Sequence, residues 1–245
     1  MPQHAPLYIV ASPRPRVGRT LIARLLVEFI RSDNRPLAAY DLDPRDPMLA
    51  AQFPSLVTTL DIADTRGQMA LFDQLVGGAP RTAVIDLGYG AFERFFTVLA
   101  EIGFAEEARR RSVDPVVLFI ADTSAATVRT YAELRHGLPT LAFVPVHNES
   151  VSVMFERADF PPTRPEYGMI RIPRLSPIVR GVLDRPTFSF GAYMTKRSGG
   201  PTEIHSWIAS IFAEFRELEL RLIMGKLGVS LGAGIGPLRE AGQAR

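Results

Sequence analysis

Apolar positions along the chain follow two rhythms in alternation. Leu7–Ala11 is an apolar, partly β-branched run of strand length, and a Pro- and Arg-rich turn follows it. From Gly18-Arg19-Thr20 onward the apolar residues fall at Leu21, Ile22, Leu25, Leu26, Phe29 and Ile30. That spacing predicts a helix with one buried face. Pro36–Leu42 reads as a second strand, Met48–Leu60 as irregular or briefly helical, and Asp61–Val76 as a helix stopped at Gly77-Gly78-Ala79-Pro80. Thr82–Leu87 is a further apolar strand ending in Asp86, and Ala91–Ala108 reads as one helix with Phe92, Phe95, Phe96, Leu99 and Ile102 on one face. Pro115–Ala121 and Leu138–Val146 are continuous apolar runs, as strands covered on both faces require. Between them, Asp122-Thr123-Ser124 offers caps for a helix reaching Arg135. This β-α-β-α-β order predicts an α/β fold, a doubly wound, mostly parallel sheet flanked by helices.

The later part of the chain is less regular. Ser150–Phe190 is dense in proline (Pro161-Pro162, Arg164-Pro165, Pro186), which predicts extended surface structure. Met194–Pro201 reads as a solvated basic loop rather than a nucleic-acid contact. Thr202 then caps a helix whose apolar side carries Ile204, Trp207, Ile208, Ile211, Phe212, Phe215, Leu218, Leu222 and Ile223. Its polar side sets Glu203, Glu214, Glu217 and Glu219 against Arg216 and Arg221. A lipid-surface helix wants Lys and Arg there, so the helix is expected to pack on the sheet and no membrane partner is expected. Residues 1–224 are read as a single domain and the Gly-rich residues 225–245 as a flexible tail.

Composition narrows the functional classes. At 245 residues, 47% hydrophobic and 22% charged, the chain suits one sizeable globular domain. The start of the sequence lacks a basic segment leading into a long apolar one, so no signal peptide is expected. With no cysteine, disulfide and Cys-based metal chemistry are excluded, in keeping with a cytoplasmic setting. A net charge of +2 gives no argument for nucleic acid. His4, His136, His147 and His205 show no metal-ligand spacing, and no nucleophile-elbow pattern appears.

The candidate chemistry sits at the first turn. Strand, tight loop, then helix N-terminus converges unpaired N–H groups and a helix dipole on one spot, an anion site. The strict phosphate-loop pattern wants glycines, so that bare backbone can wrap phosphate, and a Lys. Here Pro13 takes the first Gly position and Arg19 the Lys position, leaving Gly18, a cation and the Thr20 hydroxyl. Asp41-Leu42-Asp43-Pro44-Arg45-Asp46-Pro47 puts carboxylates at a strand end, where open parallel sheets hold ligand groups. Asp43 and Asp46 equally suit turn and helix caps beside prolines, and Asn148 suits a strand-end turn.

Taken in order, these segments resemble the ParA/MinD family of P-loop ATPases. Arg14–Thr20 is similar to the family's deviant loop K-G-G-V-G-K-T with Lys replaced by Arg twice. Asp41–Arg45 resembles its D-x-D-P-Q switch with Arg45 for Gln, and Ile170–Leu175 its short strand ending I-P-x-L. Val84–Phe92 is also similar to ParA-like accessory ATPases of plasmid conjugation. The resemblance implies ATP or ADP with Mg²⁺, held by Arg16, Val17, Gly18, Arg19, Thr20 and Leu21. Thr20 and Asp86 would then lie on the metal side, with Asp43 orienting water and Asn148 at the adenine. Arg14 matches the lysine that in such proteins reaches the partner's nucleotide in a face-to-face homodimer. The departures cut against turnover: Pro15 has no N–H, Arg16 is bulky where glycine is wanted, and Arg19 is a wide fork. Losing one preorganised donor commonly costs about 3–4 kcal/mol of barrier. The expected function is therefore association with a protein partner, with nucleotide bound and little or no hydrolysis. The alternative is an active, dimerising ATPase in spatial positioning of DNA, division or surface machinery.

Overall fold

A parallel sheet organises the molecule. The structure is a computed structural model and describes residues 4–77, 79, 81–122, 124–151, 167–185, 187–195 and 202–226. In chain order the elements are β1 (Ala5–Ala11), α1 (Arg19–Ser32), β2 (Leu37–Asp41), α2 (Met48–Gln52), β3 (Val57–Thr59), α3 (Thr65–Val76) and β4 (Thr82–Asp86). They continue with α4 (Phe92–Glu101), α5 (Phe104–Arg110), β5 (Val113–Ala121), α6 (Ala125–Gly137), β6 (Ala142–Asn148) and β7 (Ile170–Ile172). The last are α7 (Pro177–Leu183), α8 (Phe190–Thr195) and α9 (Glu203–Lys226). Among the described residues the sheet has seven strands in the order β3-β2-β4-β1-β5-β6-β7, and every pairing is parallel. The doubly wound α/β sheet read from the sequence is the one observed.

Because side chains alternate along a strand, each central strand feeds two cores. On β1, Tyr8 and Val10 join the layer containing α1 and α9, while Leu7, Ile9 and Ala11 join the layer of α3 to α6. In the first layer Phe29 of α1 packs against Phe212 and Phe215 of α9, with ring centroids 5.3 and 5.5 Å apart. In the second, Phe72 meets Phe95 and Phe104, and Phe92 meets Phe96. The α9 helix does lie on the sheet. Its Glu219 turns inward to accept from Tyr8 Oη at 3.1 Å and from Arg35 Nη1 at 2.7 Å. Thr202 caps it through the His205 N–H at 3.1 Å. No helix among the described residues is long and apolar enough to cross a membrane.

Two segments depart from the expected pattern. The helix expected over Ala91–Ala108 is two, α4 and α5, divided at Gly103, whose φ of +61° turns the chain. The segment expected to be extended contains helix α7 among its described residues, and α8 begins at its last residue, Phe190; the short strand expected at Ile170–Leu175 is present as β7. Pro177 opens α7 at the position where its missing N–H is harmless, after Ser176. Phe190 of α8 is fully buried. Residues 152–166, with Pro161-Pro162 and Arg164-Pro165, lie outside the described residues, as do Pro186, residues 196–201 and the tail from 227 onward. The short strand β3 was not expected.

A buried ion pair joins α1 to α7 and α8. Arg24 and Glu28 are each 5% exposed, with Nε to Oε1 at 3.6 Å. Arg24 donates to the Leu183 carbonyl at 2.9 Å and to the Phe188 carbonyl. Glu28 accepts from Ser189 Oγ at 2.6 Å and from the Gly191 N–H at 2.9 Å. Replacing Phe29 by Ala at the centre of this layer should lower stability by about 3–5 kcal/mol, read as a drop in the urea midpoint at unchanged slope.

Candidate functional site

Strand order decides where the polar groups meet. The chain leaves β1 for β2 on one side and later crosses to β5 on the other, so β1 is the point where the winding reverses. Crevices outside the carboxyl ends of strands at such a point are where open sheets bind ligands. The neighbouring strands β2, β4 and β1 end together there: Asp86 pairs in register with Asp41 of β2 and with Val10 of β1.

The loop after β1 is tied down at both ends. Buried Ser12 donates through Oγ to the Ile120 carbonyl at 3.1 Å and accepts from the Arg14 N–H at 3.2 Å. Arg16, with φ of +60°, and Gly18, with φ of +85°, curl the loop, an arginine in this region being strained. Gly18 opens α1 without any side-chain cap, and the first turn carries no acidic residue. Its leading N–H groups are thus left without a side-chain acceptor at the N-cap, the condition under which a helix start can hold an anion. Gly18 is also held from behind: a Cβ there would stand 2.6 Å from Asn148 Nδ2. Asn148, 3% exposed, donates Nδ2 to the Val17 carbonyl at 3.0 Å, and its Oδ1 accepts from the Ser150 N–H at 3.1 Å. Both ends of the amide expected at an adenine are thus engaged by backbone.

The carboxylates divide the labour. Asp41, fully buried, accepts from the N–H groups of Asp43, Leu49 and Ala50 at 3.1, 2.9 and 3.1 Å, fixing the loop from β2 into α2. Burial and the nearby Asp86 charge raise its pKa, against those three N–H bonds. Asp86, 1% exposed, is also raised by burial, while Arg19 and a hydrogen bond with Thr20 oppose the rise. Arg19 Nε donates to Asp86 Oδ1, and Arg19 Nη2 lies 3.5 Å from Asp43 Oδ2. One guanidinium spans both acids.

A cleft of about 1250 Å³ opens over this arrangement. Pro15, Arg16, Gly18, Arg19, Thr20 and Leu21 form one wall, and Asp43 to Asp46 with Tyr89 and Arg94 another. Arg180 of α7 completes it. The expected loop residues, Asp43 and Asp86 are therefore brought together; Val17 is buried behind them. Arg14 points elsewhere, its Nε 3.5 Å from Asp122 Oδ2. Burial works against the ionised Asp122, but hydrogen bonds with Ser124 and Thr127 and the Arg14 charge hold its pKa below the usual value. Sequence reading gave no role to Asp41, Arg94 or Arg180. Asp41 was legible as the first acid of the D-x-D stretch, whereas the two arginines carried no local signal.

Thr20 and Asp86 are the oxygen donors a Mg²⁺ ion would use, yet as arranged they do not fit one. Both nearby carboxylates already face Arg19. A dication about 4 Å from a guanidinium meets a repulsion of roughly 8 kcal/mol at an effective dielectric of about 20.

No protein-family model matches the chain, and no curated protein matches it by sequence. Among solved structures, the MinC:MinD cell division complex of Aquifex aeolicus aligns over 94% of this chain and 99% of its own, at 12% identity and TM-score 0.53. The fold is of the ParA/MinD type. A nucleotide-binding protein of Archaeoglobus fulgidus in complex with ADP aligns at 16% identity and TM-score 0.38, over 58% of this chain and just 65% of its own. A protein described as a plasmid partition protein of Borrelia burgdorferi, bound to AMPPNP, aligns at 10% identity and TM-score 0.40, over 88% and 99%. Within the ParA/MinD-type fold, the β1–α1 loop and the ends of β2 and β4 are the site described above.

Gly18→Ala should cost at least the ~1–2 kcal/mol of a side chain in the left-handed region. Part should return when Asn148→Ala removes the amide that the new methyl strikes, seen as non-additivity in a double-mutant cycle of urea unfolding. Asp41 gives a pH signature. Its folded pKa is raised, so the folded state holds the proton more tightly and stability falls as pH rises from about 4 through the raised value. The stability of the wild type relative to Asp41→Asn should therefore decline across that window, followed by urea midpoints at successive pH values.

Proposed function

We propose that the chain is a ParA/MinD-like protein that holds a nucleotide, ATP or ADP, at the uncapped start of α1 and acts through association with a protein partner, with little or no hydrolysis. The observation that carries this reading is Arg19. Its guanidinium is committed to Asp86 and reaches Asp43, so both acids that would handle metal and water already face a cation of the chain itself. Loop chemistry points the same way. Pro15 has no N–H and the Arg14 N–H is spent on Ser12, so two donors are missing from the cradle. What remains, the first-turn amides of α1 beside an open cleft, suits holding an anion without reacting it.

Partner association is supported by the rim. Tyr89 is 51% exposed at the cleft wall, Met48 50% at the start of α2 and Ile178 88% on α7, two residues from cleft-lining Arg180. Of these, Tyr89 lines the cleft itself and is the exposed apolar group placed for a protein contact there. The neighbour from Aquifex aeolicus, itself a complex of MinC with MinD, agrees with this reading.

An ATP-hydrolysing homodimer is the second reading, favoured by Asp43, which stays 28% exposed on the cleft. Phosphate release from Mg-ATP separates the two. Under the first reading the wild type releases phosphate no faster than Asp43→Ala while calorimetry records ATP or ADP binding. Turnover that vanishes in Asp43→Ala establishes the enzyme instead.

A further inference from the structure

We propose that Arg19 stands in permanently for a divalent cation at Asp86 and Asp43, so that a phosphate-bearing ligand enters the cleft free of metal; the second half rests on the phosphate-binding reading above. Three observations converge on the substitution. The first is contact: Nε of Arg19 donates to Asp86 Oδ1, and its Nη2 lies 3.5 Å from Asp43 Oδ2. A single planar fork therefore bridges Asp86, which ends β4, and Asp43, in the loop after β2. The second is burial. The Arg19 side chain is 13% exposed and that of Asp86 1%, so the bridge is part of the cleft floor rather than a surface pair. A guanidinium in that position belongs to the chain, and chelation does not remove it. The third is the donor count. The two carboxylates beside the start of α1, Asp86 and Asp43, both already face Arg19, so neither is left free for an ion.

The supporting shell keeps the bridge in place. Asp43 is fixed through its own N–H, which donates to Asp41 Oδ1 at 3.1 Å. The backbone after β4 presses on it, since a Cβ at Gly88 would stand 3.0 Å from Asp43 Cβ. The Thr20 hydroxyl also favours the ionised form of Asp86. A buried acid so surrounded needs one positive charge, which the chain supplies itself.

The test uses the full chain and metal alone first. Thermal unfolding of the wild type should be unmoved by Mg²⁺ or Mn²⁺, within ~1 °C. Arg19→Ala, with its acids left without a counter-ion, should melt lower and be raised again by Mn²⁺. A wild type whose melting temperature climbs with either ion overturns the proposal. Should Arg19→Ala fail to fold, paramagnetic resonance of Mn²⁺ titrated into the wild type decides: an ion that stays free supports the substitution, and one bound ion per chain overturns it. ATP titrated in EDTA or in Mg²⁺ forms the second arm, with affinities expected to agree within about twofold. An affinity tenfold or more weaker in EDTA overturns the proposal. ATP that binds in neither buffer, alongside a metal-indifferent wild type and a Mn²⁺-responsive variant, upholds the role of Arg19 and sinks the phosphate reading instead.

Discussion

A carboxylate buried at the end of an interior strand stays charged only with a cation or hydrogen-bond donors at its side, and at Asp86 the cation is Arg19. The constraint follows from topology. Register puts the ends of β2 and β4 side by side, so Asp41 and Asp86 cannot avoid each other. Asp41 spends its charge on three N–H groups of the following loop. Asp86 has Thr20 and Arg19 instead, both from the first two residues of α1. The helix that offers its amides to solvent thus also neutralises the strand end beneath it.

The same economy governs the loop. Its curl needs Gly18 at positive φ, and the space behind Gly18 is filled by the Asn148 amide. Asn148 arrives from β6, across β1 and β5, so the loop's shape depends on sheet register as much as on its own sequence. Arginines crowd the sequence of the loop, but they diverge: one turns to Asp122, one lines the cleft and one dives to Asp86.

The sheet was legible because buried parallel strands are uninterrupted apolar runs, and Leu7–Ala11, Thr82–Leu87 and Pro115–Ala121 have few alternative readings. The order of polar strand ends was legible for the same reason. Less visible was the split between α4 and α5, since Gly103 interrupts an aromatic stripe that keeps its period up to that point. Proline density hid α7, where Pro177 starts a helix instead of preventing one. The partners of Arg19 were out of reach in principle. Asp43 and Asp86 are 24 and 67 residues away, and no local pattern tells which way a long side chain will turn. Asn148 is the sharper case: a strand-end amide reads the same whether it faces a base or, as here, the carbonyl of Val17.

The Arg24–Glu28 pair has a mechanical meaning beyond packing. Arg24 lies on α1 shortly after the β1–α1 loop and grips the Leu183 carbonyl at the end of α7, the helix whose Arg180 forms part of the cleft. Glu28, one turn on, grips the start of α8. The two sides of the opening are therefore fastened to a common axle deep in the interior. Two helices that line the cleft, α1 and α7, are thereby tied to each other in the interior rather than at the surface.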